Sequence, residues 1–494
     1  MDVSSRVTGG GATVRHLPIR RAPASMQVMT ATDALGAGSL QERAHRHLLM
    51  HFTRNGAYGP DGAELLVLER GEGPYVFDTE GRRYFDGLSS LFCSQIGYSH
   101  GEEMAAVAAE QLTTLAFNTN WGTAHPPAIE LAEAIAERAP GDLNRVFLTN
   151  GGSESVEAAW KIVRQYHVAN GQPQRVKAIA RDIAYHGVTL GALSFTGVAK
   201  MKEPFGEAPI PVVRVSNTNH FRGPEGEDEA AFCARLLDEL EQAVVATGPE
   251  TVAMIIAEPI QNAAGCLVPP AGYWAGLREI ADRFGIALVA DEVITGFGRI
   301  DGLFAAPALG AVPDVITVAK GITSAYAPMG AVIVSDRIAE PLYRDGRMLL
   351  HGITFGGHPV AAAIARRNIE IFEREGVVEN VRAHEGYLRD RLGELRDRLP
   401  IVGDVRGAGY FWALELVRDA SDAPFDDPEE RERLLRGFVA PRLLEEGLIA
   451  RPDDRGDAVV HLAPPLICGP AELDEMVAKT EAVLADASER FFTG

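Results

Sequence analysis

Lys320 follows directly on the apolar run 315–319, and Gly321 comes next. A short apolar run of this kind reads as a buried strand. A lysine at its end is either a solvated surface group or an amine drawn toward an apolar interior. In the second case burial disfavours the ammonium, and the free amine becomes a nucleophile. Asp291 and Glu292 close another apolar run, 286–290. A carboxylate buried there needs a cation or hydrogen-bond donors. A protonated pyridine nitrogen, a magnesium ion or a distant arginine would each serve. No G-x-x-x-x-G-K-[ST] loop accompanies the acidic pair, which weakens a nucleotide reading.

Two further strand ends carry suggestive residues. At Thr149-Asn150-Gly151-Gly152-Ser153-Glu154 an apolar run meets two glycines, then a serine opens a helical pattern. The glycines allow close backbone approach, and a helix start offers free N–H groups and a partial positive charge. That is a cup for a phosphate, or an ordinary helix capped by Ser153. At Ala184-Tyr185-His186-Gly187 an aromatic side chain could lie on a planar ring or fill the core. Singly, each feature has a bland reading. Together they supply a phosphate cup, a ring platform, a carboxylate for a ring nitrogen and an amine for an aldehyde. Pyridoxal 5'-phosphate carries all four complementary groups.

The elements that must position these residues are legible in outline. Short strands are expected at 67–68, 75–78 and 83–86, and helices at 102–115 and 127–138. From 145 onward apolar runs alternate with helical patterns: strands at 146–149, 176–180, 252–257, 286–290, 315–319 and 331–334, helices at 153–167, 228–246 and 273–284. This alternation indicates an α/β domain whose mostly parallel sheet is flanked by helices on both faces. After Pro359 the texture changes. Charged amphipathic helices at 360–375 and 378–399 precede a strand at 409–417, a helix at 428–446, strands at 448–451 and 458–462, and a last helix from Pro470. That is a smaller α+β domain. The expected division is a flexible tail over 1–38, an N-terminal segment joining the small domain over 39–95, a large cofactor-binding domain over 96–358, and the C-terminal small domain over 359–494.

The sequence resembles the class III aminotransferases, the ω-aminotransferase subgroup of the fold-type I PLP-dependent transferases. The resemblance runs from about residue 45 to the end. It is carried by Asn150-Gly151-Gly152-Ser153-Glu154, Tyr185-His186-Gly187, Glu258-Pro259-Ile260-Gln261, Asp291-Glu292-Val293, Ala319-Lys320-Gly321 and the run His351-Gly352-Ile353-Thr354-Phe355-Gly356-Gly357-His358-Pro359.

The resemblance implies roles. Lys320 would carry the cofactor as a Schiff base and move the proton, and Asp291 would pair with the pyridinium nitrogen. Gly152 and Ser153 would bind the phosphate, Tyr185 and Val293 would flank the ring, and Glu258 and Gln261 would join the network around O3' and Tyr185. Thr354 would reach the phosphate of the neighbouring subunit's cofactor, which implies a homodimer with shared active sites. Phe92 falls where amine:pyruvate members line the pocket with an aromatic residue, and Arg451 where they carry a mobile arginine for the keto-acid carboxylate. This chain departs from that pattern in a longer acidic loop, Pro452-Asp453-Asp454-Arg455. Arg455 is therefore a second candidate for the carboxylate, and Trp121 and Thr123 are candidates for the pocket entrance.

The implied reaction moves an amino group from an ω-amino acid, diamine or simple amine to a keto acid, pyruvate first, by a ping-pong route through pyridoxamine phosphate. The alternatives are a 2-oxoglutarate-dependent ornithine- or 4-aminobutyrate-type aminotransferase and a decarboxylase or aminomutase of the same fold. A regulatory relative without catalysis would have no use for both Lys320 and Asp291, and a cofactor-free Schiff-base lyase would have none for the phosphate cup.

Composition agrees with an enzyme of small molecules. The 494 residues carry 47 basic and 68 acidic side chains, a formal charge of −21. Such a surface repels nucleic acid. No apolar stretch is long enough to span a bilayer. The four cysteines, Cys93, Cys233, Cys266 and Cys468, are far apart and have no metal-ligand spacing. A reduced, cytoplasmic setting and no metal are expected.

Overall fold

The computed structural model of the chain describes residues 38–59 and 62–493. The expected tail over 1–38 lies outside the described residues but for Gly38. Two compact units are present, divided between Val67 and Leu68. In the first, the helix Leu40–His47 opens with Ser39, whose hydroxyl accepts from the Glu42 amide while the Glu42 carboxylate accepts from the Ser39 amide. The Gln41 side chain bonds both backbone groups of Leu65 in the same unit.

The second unit begins with three antiparallel strands, β1 (Leu68–Glu72), β2 (Tyr75–Asp78) and β3 (Arg83–Asp86). The central sheet then uses seven strands: β4 (Leu143–Thr149), β5 (Lys177–Arg181), β6 (Val212–Val215), β7 (Val252–Ala257), β8 (Ala287–Asp291), β9 (Val315–Val318) and β10 (Gly330–Ser335). Their order is β4-β10-β9-β8-β7-β5-β6. Neighbours from β9 to β6 are parallel, and β10 runs antiparallel to both β4 and β9.

Every side chain of β7 and of β8 is buried, because helices cover both faces. Period-two alternation divides these residues between two cores. Ile255, Leu288, Ile316 and Ile333 enter one; Ile256, Val289, Val315 and Val332 enter the other. Helix Gly152–Ala169 lies over β9 and β10, and helix Tyr273–Phe284 packs against β8. Among the described residues no helix is long and apolar enough to cross a membrane.

Helices Pro359–Arg374 and Val377–Arg398 lead to β11 (Val402–Ala408) and β12 (Phe411–Leu416). A helical stretch over 428–445, with a π turn at Leu435–Val439, precedes β13 (Leu448–Ile449), β14 (Arg451–Asp453), β15 (Val459–Leu462) and the helix Pro470–Phe491. Strand β13 pairs in parallel with β3, tying residues from the two ends of this unit into one sheet. The last sheet is antiparallel, ordered β11-β12-β15-β14.

Three local differences from the sequence expectation are informative. The run 448–451 is two strands, because the chain changes partner at Ala450: Leu448 lies beside Phe85, and Arg451 beside His461. Strand β6 sits on the sheet edge with mostly half-buried residues, so its apolar signal is weak. Strand β11 carries Gly403, Asp404, Arg406 and Gly407, and only its pairing with β12 makes it a strand.

Candidate active site

Strands β4, β5, β7, β8 and β9 point the same way, and the residues beyond their carboxyl ends face one region. A parallel sheet offers ligands that edge. Asp291 ends β8 and is buried. Its Oδ2 lies 2.7 Å from Nδ1 of His186. Its Oδ1 accepts from the Thr317 hydroxyl at 3.1 Å and from the Val293 amide at 3.2 Å. The carboxylate is therefore fixed from three sides. Nε2 of His186 is buried and has no hydrogen-bond partner among the described residues.

Lys320 stands two residues beyond the end of β9, with a backbone φ of 48°. That left-handed conformation is costly for a side chain with a Cβ, and such strain collects at functional sites. Burial pushes its amine below the ordinary lysine range. Cys93, Asp291 and Glu258 act in the opposite direction, while the Arg451 charge lowers the amine further. The Phe92 ring centroid is 6.0 Å from Nζ. Gly321 is required by close packing: a Cβ there would lie 2.4 Å from Nε2 of the buried Gln95.

The helix Gly152–Ala169 starts with Gly151 and has no side-chain cap. Ser153 is not the cap; its hydroxyl instead accepts from the Val188 amide at 3.0 Å. Glu154 folds back, its carboxylate accepting from the Asn150 amide at 2.8 Å. A Cβ on Gly152 would come within 2.9 Å of Val293 Cγ1. The first turn thus presents bare amides beside Val293.

Glu258, just after β7, accepts from the Tyr185 amide at 3.2 Å and from the Asn262 amide at 2.9 Å. Burial pushes its carboxyl up. Gln261 donates to the Asp182 carbonyl at 2.9 Å, and its Oε1 is buried without a partner. Tyr185 is half-buried, with the Arg455 guanidinium carbon 5.5 Å from its ring centroid.

Phe92 arrives through a strained turn in which Ser89, Ser90 and Phe92 all have positive φ. Asp86 holds that turn, accepting from the Ser90 amide at 2.6 Å and the Leu88 amide at 3.3 Å. The Phe92 ring packs edge-on against Phe411 and His461, with centroids at 5.6 and 6.1 Å. Arg451 and Arg455 both flank the buried Asp453 and both act on Tyr185.

Thr354, Trp121 and Thr123 are exposed. The loops that carry them meet each other: Gly352 lies against the Trp121 indole, and Asn120 donates to the Gly356 carbonyl at 3.0 Å. Among the described residues none of these three side chains is hydrogen-bonded to the groups around Lys320. His186 and Gln95 were not singled out by sequence reasoning as partners of Asp291 and Gly321. The motif Tyr185-His186-Gly187 was the available signal for the first; the second has no local signal.

The family model for class III aminotransferases matches residues 58–484. The chain belongs to the class III aminotransferases. A probable aminotransferase of Mycobacterium tuberculosis is 48% identical over 92% of this chain and 96% of its own length. The putrescine–pyruvate aminotransferase of Pseudomonas aeruginosa is 39% identical, covering 88% of this chain and 94% of that one. Among solved structures, a thermostable (S)-enantioselective omega-transaminase from Thermomicrobium roseum superposes with a TM-score of 0.87 at 42% identity, over 92% of this chain and all of the other. The omega transaminase from Pseudomonas jessenii in complex with PMP gives 0.86 at 35% identity, over 92% and 99% of the two chains.

This aminotransferase uses pyridoxal 5'-phosphate, and the residues present suit that group. An uncapped helix start suits a phosphate. A fixed, buried carboxylate suits a protonated ring nitrogen, and a lysine amine in the same region suits an aldehyde. The buried, unpartnered Oε1 of Gln261 and Nε2 of His186 are polar atoms that the protein alone leaves unused.

Proposed function

We propose that this aminotransferase takes amino groups from ω-amino acids, diamines or simple amines and passes them to pyruvate. The observation that carries the site assignment is the Asp291 carboxylate, fixed by His186, Thr317 and the Val293 amide, on the strand next to the one that leads into the buried amine of Lys320. The pyruvate assignment draws on the putrescine–pyruvate relative, on Phe92, whose ring centroid lies 6.0 Å from Lys320 Nζ, and on Arg451, whose charge acts on Lys320.

Bound pyridoxal 5'-phosphate supplies an electron sink conjugated with the substrate carbon. The amides of Gly152 and Ser153 bind its phosphate, and Tyr185 and Val293 enclose the ring. Asp291 would hold a proton on the ring nitrogen, and Glu258 and Gln261 would meet a polar group of the ring. Lys320 would hold the aldehyde, and its free amine would be the general base; burial favours the neutral form, which can take a proton from the substrate carbon. Arg451 receives the keto-acid carboxylate through its planar fork and moves aside for a donor without one. The reading includes a homodimer, in which Thr354 reaches the phosphate held by the partner subunit, and a cytoplasmic location.

The test is a panel of amines run against pyruvate and 2-oxoglutarate, with both half-reactions followed by cofactor absorbance. Diamines or monoamines with pyruvate should give the highest kcat/KM. A clear preference for 2-oxoglutarate, or release of carbon dioxide in place of transfer, would overturn the assignment.

A further inference from the structure

Asp453 lies between two arginines and does not treat them alike. Arg455 is locked to it: Nε reaches Oδ1 at 3.0 Å and Oδ2 at 2.8 Å, a terminal nitrogen adds a closer contact to Oδ2, and the Arg455 amide donates to Oδ1 at 3.0 Å. Arg451 makes only an ion contact, Nε to Oδ2 at 3.5 Å, and its guanidinium forms no hydrogen bond among the described residues. The Arg451 side chain is also the more open, 30% exposed against 12% for Arg455. Both carboxylate oxygens are thus spent on Arg455.

The surrounding charges leave this imbalance uncompensated. Asp454 turns away to a bidentate pair with Arg436, at 2.8 Å on each side. His461 lies 3.8 Å from Asp453 and gives its other nitrogen to the Asn262 carbonyl at 3.0 Å. Burial pushes that histidine down to about 4, so it is neutral at working pH. Burial alone would raise the Asp453 carboxyl, but Arg455 and Arg451 hold it well below the usual range. Two cations therefore face one anion, with one positive charge left over.

We infer that Arg455 is a positioning residue: by occupying both oxygens of Asp453 it keeps Arg451 free of a hydrogen-bonded partner and available for the carboxylate of the acceptor. The inference rests on the proposed function, in which Arg451 binds that carboxylate. Without Arg455, the buried Asp453 charge would claim Arg451 for itself, because an unpaired buried carboxylate is strongly unfavourable.

The experiment compares Arg451→Met, Arg455→Met and the double variant Asp453→Asn/Arg455→Met as holoenzymes. Each half-reaction is followed separately by cofactor absorbance, with benzylamine as a donor lacking a carboxylate and pyruvate as the acceptor. Arg455→Met should raise the KM for pyruvate about ten- to a hundred-fold, the value of a lost charge-assisted bond. The amine half-reaction should change far less. The double variant, which removes the competing carboxylate, should return the pyruvate KM to within about threefold of the parent, a recovery that a merely structural Arg455 would not give. If Arg455→Met does not fold, the double variant alone decides, since it must retain near-parental pyruvate KM. A double variant as impaired as Arg451→Met overturns the role of Arg455. Arg451→Met with an unchanged pyruvate KM would instead overturn the carboxylate assignment in the proposed function.

Discussion

Nδ1 of His186 approaches Oδ2 of Asp291 at 2.7 Å, across 105 residues of sequence and with both side chains buried. One oxygen of the carboxylate is thereby fixed by the ring, and the other by Thr317 and the Val293 amide. A carboxylate held this rigidly can keep a ring nitrogen protonated without reorganising during the reaction. Asp291→Asn should lower both half-reactions by about a hundredfold or more, as for loss of a preorganised charge. His186→Phe, which frees the carboxylate without discharging it, should cost less, about tenfold. Single-turnover absorbance separates the two, and equal losses would remove the distinction drawn between charge and orientation.

In the proposed mechanism Lys320 is the base. Lys320→Ala should reduce proton transfer by about a thousandfold, within the range for general acid–base groups. A small amine added to the solution should recover part of the rate if the loss is one of base and not of folding. Normal turnover by Lys320→Ala would end the proposed mechanism.

Gly152 is tight against Val293, with a Cβ predicted to fall 2.9 Å from Cγ1 and 3.2 Å from Cγ2. Gly152→Ala should weaken cofactor binding about tenfold by pushing Val293 into the ring's place. Val293→Ala removes both offending carbons. Gly152→Ala/Val293→Ala should therefore bind the cofactor as well as Val293→Ala alone, a non-additivity readable by absorbance titration.

His167 gives a pH prediction away from the site. It is fully buried, with Nε2 2.8 Å from the Ala253 carbonyl, and burial pushes it down to about 4. Between its ordinary value and that one, the unfolded chain binds a proton that the folded protein refuses. Stability from this residue is therefore complete near pH 7 and falls as the pH drops toward 4, by up to about 1.4 kcal/mol per pH unit. Glu292 acts oppositely: burial pushes it up to about 7, so it gains stability as pH falls below that value. The comparison must be made by difference. His167→Gln should cost most at pH 7 and progressively less at pH 6 and pH 5, measured from urea midpoints. A pH-independent difference would show that His167 is not held neutral by the fold.

Much of this protein is written locally. Strands β7 and β8 show as apolar runs because helices bury both faces, and the lysine after β9 and the aspartate that ends β8 are marked by the runs before them. The glycine pair before Ser153 marks a helix start, but only the structure shows that Ser153 turns to the Val188 amide and leaves that start without a side-chain cap. What the tertiary structure decided are the pairings across long separations. His186 meets Asp291, Gln95 meets Gly321, and Leu448–Ile449 and Arg451–Asp453 belong to different sheets; a motif marks His186, but no local pattern encodes which partner each of these residues meets. The division of labour between Arg451 and Arg455 is of the same kind. Both arginines are visible in the chain, but only the folded position of one carboxylate settles which guanidinium is already engaged.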